Sequence, residues 1–217
     1  MTQLPKDIRL WSKSSRKALL AAGFFTLHVG NVAYRAPKLA LLVVSTELRG
    51  FINADPIKCE VKLVHNGTHA ESVNLIAAWL TSTCHTELRV TPKLMAPTDL
   101  EAMLKLRQTA QTLGMDHYVD HFSHAYHQRL RHRVPAPVEL TLVENNTSND
   151  DDKILCALAN RVGYLRRTGQ LSASFLEGLN NWLADPAHER FCKAIKAADE
   201  RHELSKATKG QFVVKHQ

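Results

Sequence analysis

The chain has 217 residues, of which 44% are hydrophobic and 23% are charged, as in globular proteins. Its formal net charge of +7 permits an acidic partner or nucleic acid but requires neither. No apolar run is long enough to cross a bilayer, and charges interrupt residues 4–11, so neither a membrane span nor a signal peptide is expected. The four cysteines form no CxxC motif. They indicate reduced thiols in a nuclear or cytoplasmic protein that is not secreted.

A basic arm and a β-hairpin are the first predicted elements. Residues 1–22 form the arm, in which a short amphipathic helix is expected. Two short apolar runs follow, residues 24–29 and residues 32–34. The Gly30-Asn31 pair between them is a strong signal for a tight turn, so these runs are predicted to pair as two strands.

A helix is predicted from Lys38, because Pro37 suits a first helical turn. One apolar face at helical spacing consists of Leu41, Val44, Leu48 and Phe51. Other apolar residues lie off this face, so the helix needs cover from more than one direction. A second molecule could provide that cover, although a helix fully buried in the core explains the pattern equally well. The candidate dimer-interface residues are Leu39, Leu42, Val43, Thr46 and Ile52.

A half-buried strand is predicted over residues 58–64, where apolar and charged side chains alternate. Thr68 and Glu71 have the spacing of a capping box, which predicts that the next helix begins there. Residues 86–94 are expected to form another short strand or an extended loop.

Two longer helices are predicted next. Thr98 and Glu101 form a second capping box for the first of them, and Gly114 is placed to end it. Asp116 can cap the second helix, which is expected to run to about Arg133.

Pro135 and Pro137 predict a domain boundary. Beyond it, residues 138–143 alternate in the manner of a short strand, and helices are expected from about Asp152, Ser174 and Pro186. The predicted organisation is an N-terminal arm (1–22), an α/β domain (23–134), a small helical C-terminal domain (135–204) and a basic tail (205–217).

Short motifs spread over residues 24–133 follow one another in a recognisable order. They are Leu27-His28-Val29-Gly30, Val32-Ala33-Tyr34, Leu41-Leu42, Ser45-Thr46-Glu47-Leu48, Trp79-Leu80-Thr81-Ser82 and Thr109-Ala110-Gln111-Thr112-Leu113-Gly114-Met115. Together with the predicted element order, they resemble the BTB/POZ domain, in particular the divergent BTB-like domains of filamentous fungi. The resemblance implies a short sheet flanked by helices, dimerisation through the helix from Lys38, and a non-enzymatic role in protein–protein interaction as a scaffold or adaptor.

The chain departs from that family at two positions. Phe24 and Phe25 stand where the family has an aspartate before its first strand, and Ala36 replaces the histidine that opens its first long helix. Two alternatives stay open. Within the family, the chain could be a substrate adaptor of a cullin-type ubiquitin ligase, although no hydrophobic-x-Glu pattern for gripping a cullin follows Trp79. Outside it, the chain could be a basic nucleic-acid-binding protein of chromatin or transcription.

Three histidines, His117, His121 and His124, share one side of the helix after Asp116. Their spacing of four and three residues places them within an arc of about 60°, which can bring three imidazoles to one metal ion. An ordinary exposed helix face explains the pattern more simply, because no cysteine or carboxylate cluster joins them.

An anion-binding face is a candidate at Arg161, Arg166 and Arg167, with a plain solvated face as the alternative. The sequence has no GxSxG, glycine-rich phosphate loop or HExxH motif, so neither enzymatic activity nor a cofactor is expected. The expected partners are a second copy of the chain and an unidentified protein. Nucleic acid is expected to bind at most weakly and non-specifically, because aromatic residues do not alternate with the basic ones.

Overall fold

A computed structural model describes residues 7–64, 66–89 and 91–214, with side chains described as far as residue 205. The chain forms two compact units, Met1–Phe122 and Ser123–Gln217. The fold is mixed α/β, mostly helical with a small three-stranded sheet. The boundary expected at residues 134/135 thus lies inside the second unit. Among the described residues, no helix has both the length and the apolar character needed to cross a membrane.

The sheet of the N-terminal unit has the order β2-β1-β3. Its strands are β1 (Phe24–Val29), β2 (Val32–Pro37) and β3 (Glu60–Lys62). The predicted hairpin is confirmed: β1 and β2 are antiparallel, Val29 pairs with Val32, and Gly30 turns the chain at a φ of 59°. The predicted strand at 58–64 is confirmed in its middle, where β3 runs parallel to β1 and Val61 lies opposite Leu27.

Helices cover this sheet and supply most of the core. After a 3₁₀ turn at Ile8–Leu10, they are α1 (Lys13–Ala18), α2 (Lys38–Val44), α3 (Thr46–Ala54), α4 (Ala70–His85), α5 (Leu100–Thr112) and α6 (Asp116–Leu130), the last of which continues into the C-terminal unit. Phe25 and Leu27 of β1, Leu41 of α2, and Ile76 and Leu80 of α4 are all fully buried.

The prediction of a single helix from Lys38 is wrong, because the helix is interrupted at Ser45 and divided into α2 and α3. Ser45 is extended, with φ −103° and ψ 118°, and its Oγ accepts a hydrogen bond from Leu48 N at 2.9 Å. The same hydroxyl donates to the Leu113 carbonyl at 2.5 Å. A serine hydroxyl that caps the following helix and also donates to a distant carbonyl stabilises a break between two helices over one continuous helix.

The strand predicted at residues 138–143 is also wrong, because this stretch lies in α7 (Pro137–Asn145). Pro137 occupies the first turn, where its missing N–H costs nothing. Glu139 then accepts a hydrogen bond from the Ala136 backbone N–H at 3.3 Å. The helix-start signals at Pro137 and Glu139 therefore outweigh the strand-like alternation of apolar and polar residues over 138–143.

The two helix starts predicted from capping boxes are each displaced by one residue. Helix α4 has His69 at its N-cap instead of Thr68, and α5 has Asp99, whose carboxylate accepts from Ala102 N at 2.8 Å. Residues 91–94 carry no strand, and the described part of 86–94 is a loop. Gly114 ends α5 as predicted, with a φ of 66°.

The C-terminal unit is helical, as predicted. Its remaining elements are α8 (Lys153–Arg167), α9 (Ala173–Leu183), a 3₁₀ turn at Pro186–His188 and α10 (Glu189–Val214). Val143, Ile154, Leu158 and Phe191 are fully buried among them. The backbone of α10 continues through most of the stretch predicted as a basic tail, whose side chains from residue 206 lie outside the described residues.

Candidate functional site

A groove of about 930 Å³ opens beside α2 in the N-terminal unit. Its apolar side chains are Leu10, Trp11, Leu42, Val43, Val44 and Tyr118. Its polar residues are Asp7, Thr46, Arg49 and His117. Leu10 is 69% exposed, and Leu42 and Val43 are half-buried, so the lining leaves apolar surface in contact with solvent.

Arg49 fixes the end of α2 that forms one wall of the groove. Its Nε donates to the Leu42 carbonyl at 2.6 Å and its Nη2 to the Val43 carbonyl at 2.7 Å. The last carbonyls of a helix have no partners inside the helix, so a guanidinium that binds two of them stabilises this end. The Leu42 and Val43 side chains are held at the groove as a result.

The other wall depends on a close approach between the α2–α3 break and the α5–α6 turn. Thr46 Oγ1 lies 3.4 Å from the Gly114 carbonyl, to which it donates. A Cβ added to Gly114 would collide with this hydroxyl, and the positive φ of Gly114 independently disfavours any other residue. The groove therefore requires glycine at this position.

Charged groups form a paired network at one end of the groove. The Asp7 carboxylate accepts from Arg9 Nη2 at 2.6 Å and from His117 Nε2 at 3.1 Å. Burial alone would raise the pKa of Asp7, but the hydrogen bonds from Arg9 and His117 outweigh it and lower that pKa. Burial raises the pKa of the neighbouring Tyr118 hydroxyl, which accepts from Ile8 N at 3.3 Å.

The structure places three of the five candidate dimer-interface residues, Leu42, Val43 and Thr46, on this groove. Leu39 is half-buried but does not line it. Ile52 is only 2% exposed and belongs to the core of the unit, so its assignment to an interface is corrected. Its burial follows from its position four residues after Leu48, which is also buried, so both side chains share one face of α3.

The contributions of Leu10, Trp11 and Tyr118 to the groove are not predicted from the sequence. Leu10 and Trp11 lie far from α2 along the chain, and their approach depends on tertiary packing. The available signal was a tryptophan in an otherwise polar arm, because a large side chain of that kind is highly buried on average.

The three candidate metal-binding histidines have separate partners. His117 bonds to Asp7, His121 Nε2 donates to the Leu94 carbonyl at 3.0 Å, and His124 Nε2 lies 3.5 Å from Gln128. Burial lowers the pKa of His121, against the effect of its hydrogen bond to Leu94. Within the described ranges, no group of three or more histidine, cysteine, aspartate or glutamate side chains is placed to hold a metal ion.

The three candidate anion-binding arginines are also divided. Arg166 and Arg167 both form ion pairs with Asp199 of α10. Arg161 lies apart from them, with its Nε 3.0 Å from the Arg133 carbonyl and its guanidinium over the ring of Tyr164. The predicted set is therefore not one anion site.

The groove beside α2 is thus a candidate site of the N-terminal unit. It offers an apolar surface with an already paired charged network at one end, which suits contact with another protein surface. No protein-family model matches this chain, and neither a curated protein nor a solved structure matches it.

Proposed function

We propose that the chain is a non-enzymatic protein–protein interaction module of the BTB/POZ type that forms a homodimer through the groove beside α2. The observation that carries the proposal is the apolar lining left open to solvent at Leu10, Leu42 and Val43. Burying apolar surface is worth about 25 cal/mol per Å², so such a surface favours association.

The element order supports the BTB-like part of the proposal. A hairpin is followed by an apolar helical pair, an edge strand parallel to the first strand, another helix and a terminal helix pair. This is the order on which the resemblance rests, with the helix from Lys38 divided in two. A module of this kind would act as a scaffold or adaptor in the nucleus or cytoplasm.

We favour a second copy of the chain as the occupant because one surface carries both an exposed apolar side chain, Leu10, and the groove that such a side chain could enter. Leu10 projects from the same surface that Leu42 and Val43 line. In a two-fold dimer the same patch occurs on both subunits, so each Leu10 can enter the groove of the other. The charged network at Asp7 is satisfied within the subunit and could stay at the rim.

Sedimentation equilibrium at micromolar concentration tests the proposal. We expect the unmutated chain to be a dimer, and both Leu10→Glu and the double variant Leu42→Glu/Val43→Lys to be monomers. The matched control, Leu75→Glu/Leu88→Lys, places the same charges on exposed leucines outside the groove and should remain a dimer. Leu10 is exposed, so its variant should fold, which circular dichroism checks. A monomeric unmutated chain would contradict the proposal.

A further inference from the structure

The C-terminal unit contains a second concave site, a pocket of about 400 Å³. It lies between the last turn of α6 and the middle of α8, and its polar lining consists of His127, Arg131, Asn160, Arg161 and Tyr164. His127 lies in the last turn of α6, and Arg131 follows directly after its end. Asn160 and Tyr164 are four residues apart on α8, so they project from one side of that helix. This pocket is independent of the groove proposed for dimerisation.

Arg161 is oriented before any ligand arrives. Its Nε donates to the Arg133 carbonyl at 3.0 Å, and its guanidinium carbon lies 5.5 Å from the centre of the Tyr164 ring. These contacts fix the plane of the guanidinium and leave its two terminal nitrogens available. A guanidinium held in this way loses less conformational freedom when it binds an anion.

The charge in the pocket is not compensated by the protein. Neighbouring arginines have carboxylate partners: Arg133 has Glu139, and Arg166 and Arg167 have Asp199. In the part of the chain that the structure describes, Arg131 and Arg161 have no ion pair, and no acidic side chain lines the pocket. Two cations that share a concave surface raise the local concentration of anions.

We propose that this pocket binds a phosphate monoester through Arg131 and Arg161. Two guanidinium groups match the charge of a phosphate dianion, and their forks bind its oxygens in a bidentate manner. Asn160 adds a donor, because its Oδ1 already accepts from Arg201 Nη2 at 3.2 Å and its amide nitrogen is left to donate. His127 lies at the edge of the same pocket.

Two features favour a single phosphate group over a nucleic acid strand. The Arg161 guanidinium covers one face of Tyr164, the only aromatic ring besides His127 among the residues that line this pocket. Single-strand binding requires free aromatic faces on which successive bases stack, together with a groove that follows the backbone. The phosphate could belong to a phosphorylated side chain of a partner protein or to a small phosphomonoester.

Titrations of the full chain, followed by NMR at the arginine Nε–Hε resonances, distinguish these sources. The probes are inorganic phosphate, O-phosphoserine, a phosphoserine tripeptide and its unphosphorylated form, all at constant ionic strength. We expect the Arg161 resonance to shift with each phosphate and not with the unphosphorylated tripeptide. If the phosphorylated tripeptide binds more tightly than O-phosphoserine, the natural ligand is a phosphorylated protein. If the two affinities are equal, the natural ligand is a small phosphomonoester.

Charge-neutral variants locate the binding. Arg131→Gln and Arg161→Gln should each weaken phosphate binding about tenfold, the effect of one charged hydrogen-bonding group. Arg129→Gln removes the same charge from α6 outside the pocket and should leave the affinity within about twofold. Arg131 is exposed, so its variant remains informative even if Arg161→Gln fails to fold.

Three results would overturn the proposal. They are no shift of the Arg161 resonance at millimolar phosphate, an equal loss of affinity in Arg129→Gln, and oligonucleotide binding that is tighter than phosphate binding and unchanged in Arg131→Gln.

Discussion

The Glu139 carboxylate accepts a hydrogen bond from the Tyr126 hydroxyl at 2.7 Å, and both side chains are buried. The same carboxylate accepts two more from Arg133, each at 2.6 Å. Burial, followed by the charge of Glu139, raises the pKa of Tyr126 far above its ordinary value. Tyr126 therefore acts as a hydrogen-bond donor throughout the accessible pH range.

Glu139→Gln should destabilise the chain by about 1–3 kcal/mol, because an amide replaces a charged acceptor and leaves Arg133 without its partner. Arg133 is partly exposed, which keeps the cost below that of a fully buried ion pair. Urea denaturation measures the difference. The exposed Glu200→Gln on α10 is the control and should stay within about 0.5 kcal/mol of the unmutated chain. Equal midpoints for the two variants would disprove the role assigned to Glu139.

Asp7 should make stability depend on pH in the acid range. Its pKa in the folded state is lower than the ordinary value of 3.8, so the unfolded chain binds the proton more tightly. The stabilisation is complete above that ordinary value and is lost as the pH falls through the lower folded value. Free energies of unfolding measured against pH should fall less steeply in Asp7→Asn. Asp55 is exposed, and the control variant Asp55→Asn should show the same slope as the unmutated chain. If Asp7→Asn also showed that slope, the prediction would be contradicted.

Gly114→Ala and Gly23→Ala separate backbone strain from steric collision. Both glycines have a positive φ, 66° and 71°, which costs about 1–2 kcal/mol for another residue. Around Gly23 a Cβ meets nothing within 4 Å, whereas at Gly114 it meets Thr46. Gly114→Ala should therefore be the more destabilising variant in thermal or urea unfolding, by about 1 kcal/mol or more. Equal losses would mean that Thr46 moves aside without cost.

The histidines on α6 should respond differently to substitution. His121→Gln loses a partly buried hydrogen bond to the Leu94 carbonyl and should cost about 0.5–1.5 kcal/mol. The exposed His124 should tolerate the same change within about 0.5 kcal/mol. Thermal melts with zinc and with a chelator should coincide, since the three imidazoles have separate partners. A zinc-dependent rise in melting temperature that disappears in His117→Gln/His121→Gln/His124→Gln would contradict this.

Elements with strong local signals could be predicted from the sequence. The Gly30-Asn31 turn specifies the hairpin by its own conformational preferences, and Gly114 ends α5 for the same reason. Helix α7 is not predicted, because residues 138–143 alternate as a strand does, whereas the side chains that are buried, among them Leu140 and Val143, have helical spacing. The deciding signals were Pro137 and Glu139 at its start.

The candidate groove could be predicted only in part. The apolar excess of α2 pointed to Leu42 and Val43, which line it. Ile52 is placed wrongly in the predicted interface, because it follows Leu48 by four residues and so shares the buried face of α3. The break at Ser45 has a cause outside the local sequence, because the second hydrogen-bond partner of this serine, Leu113, is distant along the chain. Helical spacing predicts that Tyr118 is buried, but its place beside the groove depends on how α6 packs in the folded unit.

The hydrogen bond from Ser45 to the Leu113 carbonyl spans 68 positions of the chain. Contacts between distant residues form late, because a long loop must close before they are made. During synthesis, the α2–α3 break would leave the ribosome well before residue 113, so Ser45 would lack its hydrogen-bond acceptor at the end of α5. Nascent chains that end before α5 should therefore be more sensitive to proteases and to aggregation than those that extend past α6, which pulse proteolysis of stalled chains can measure.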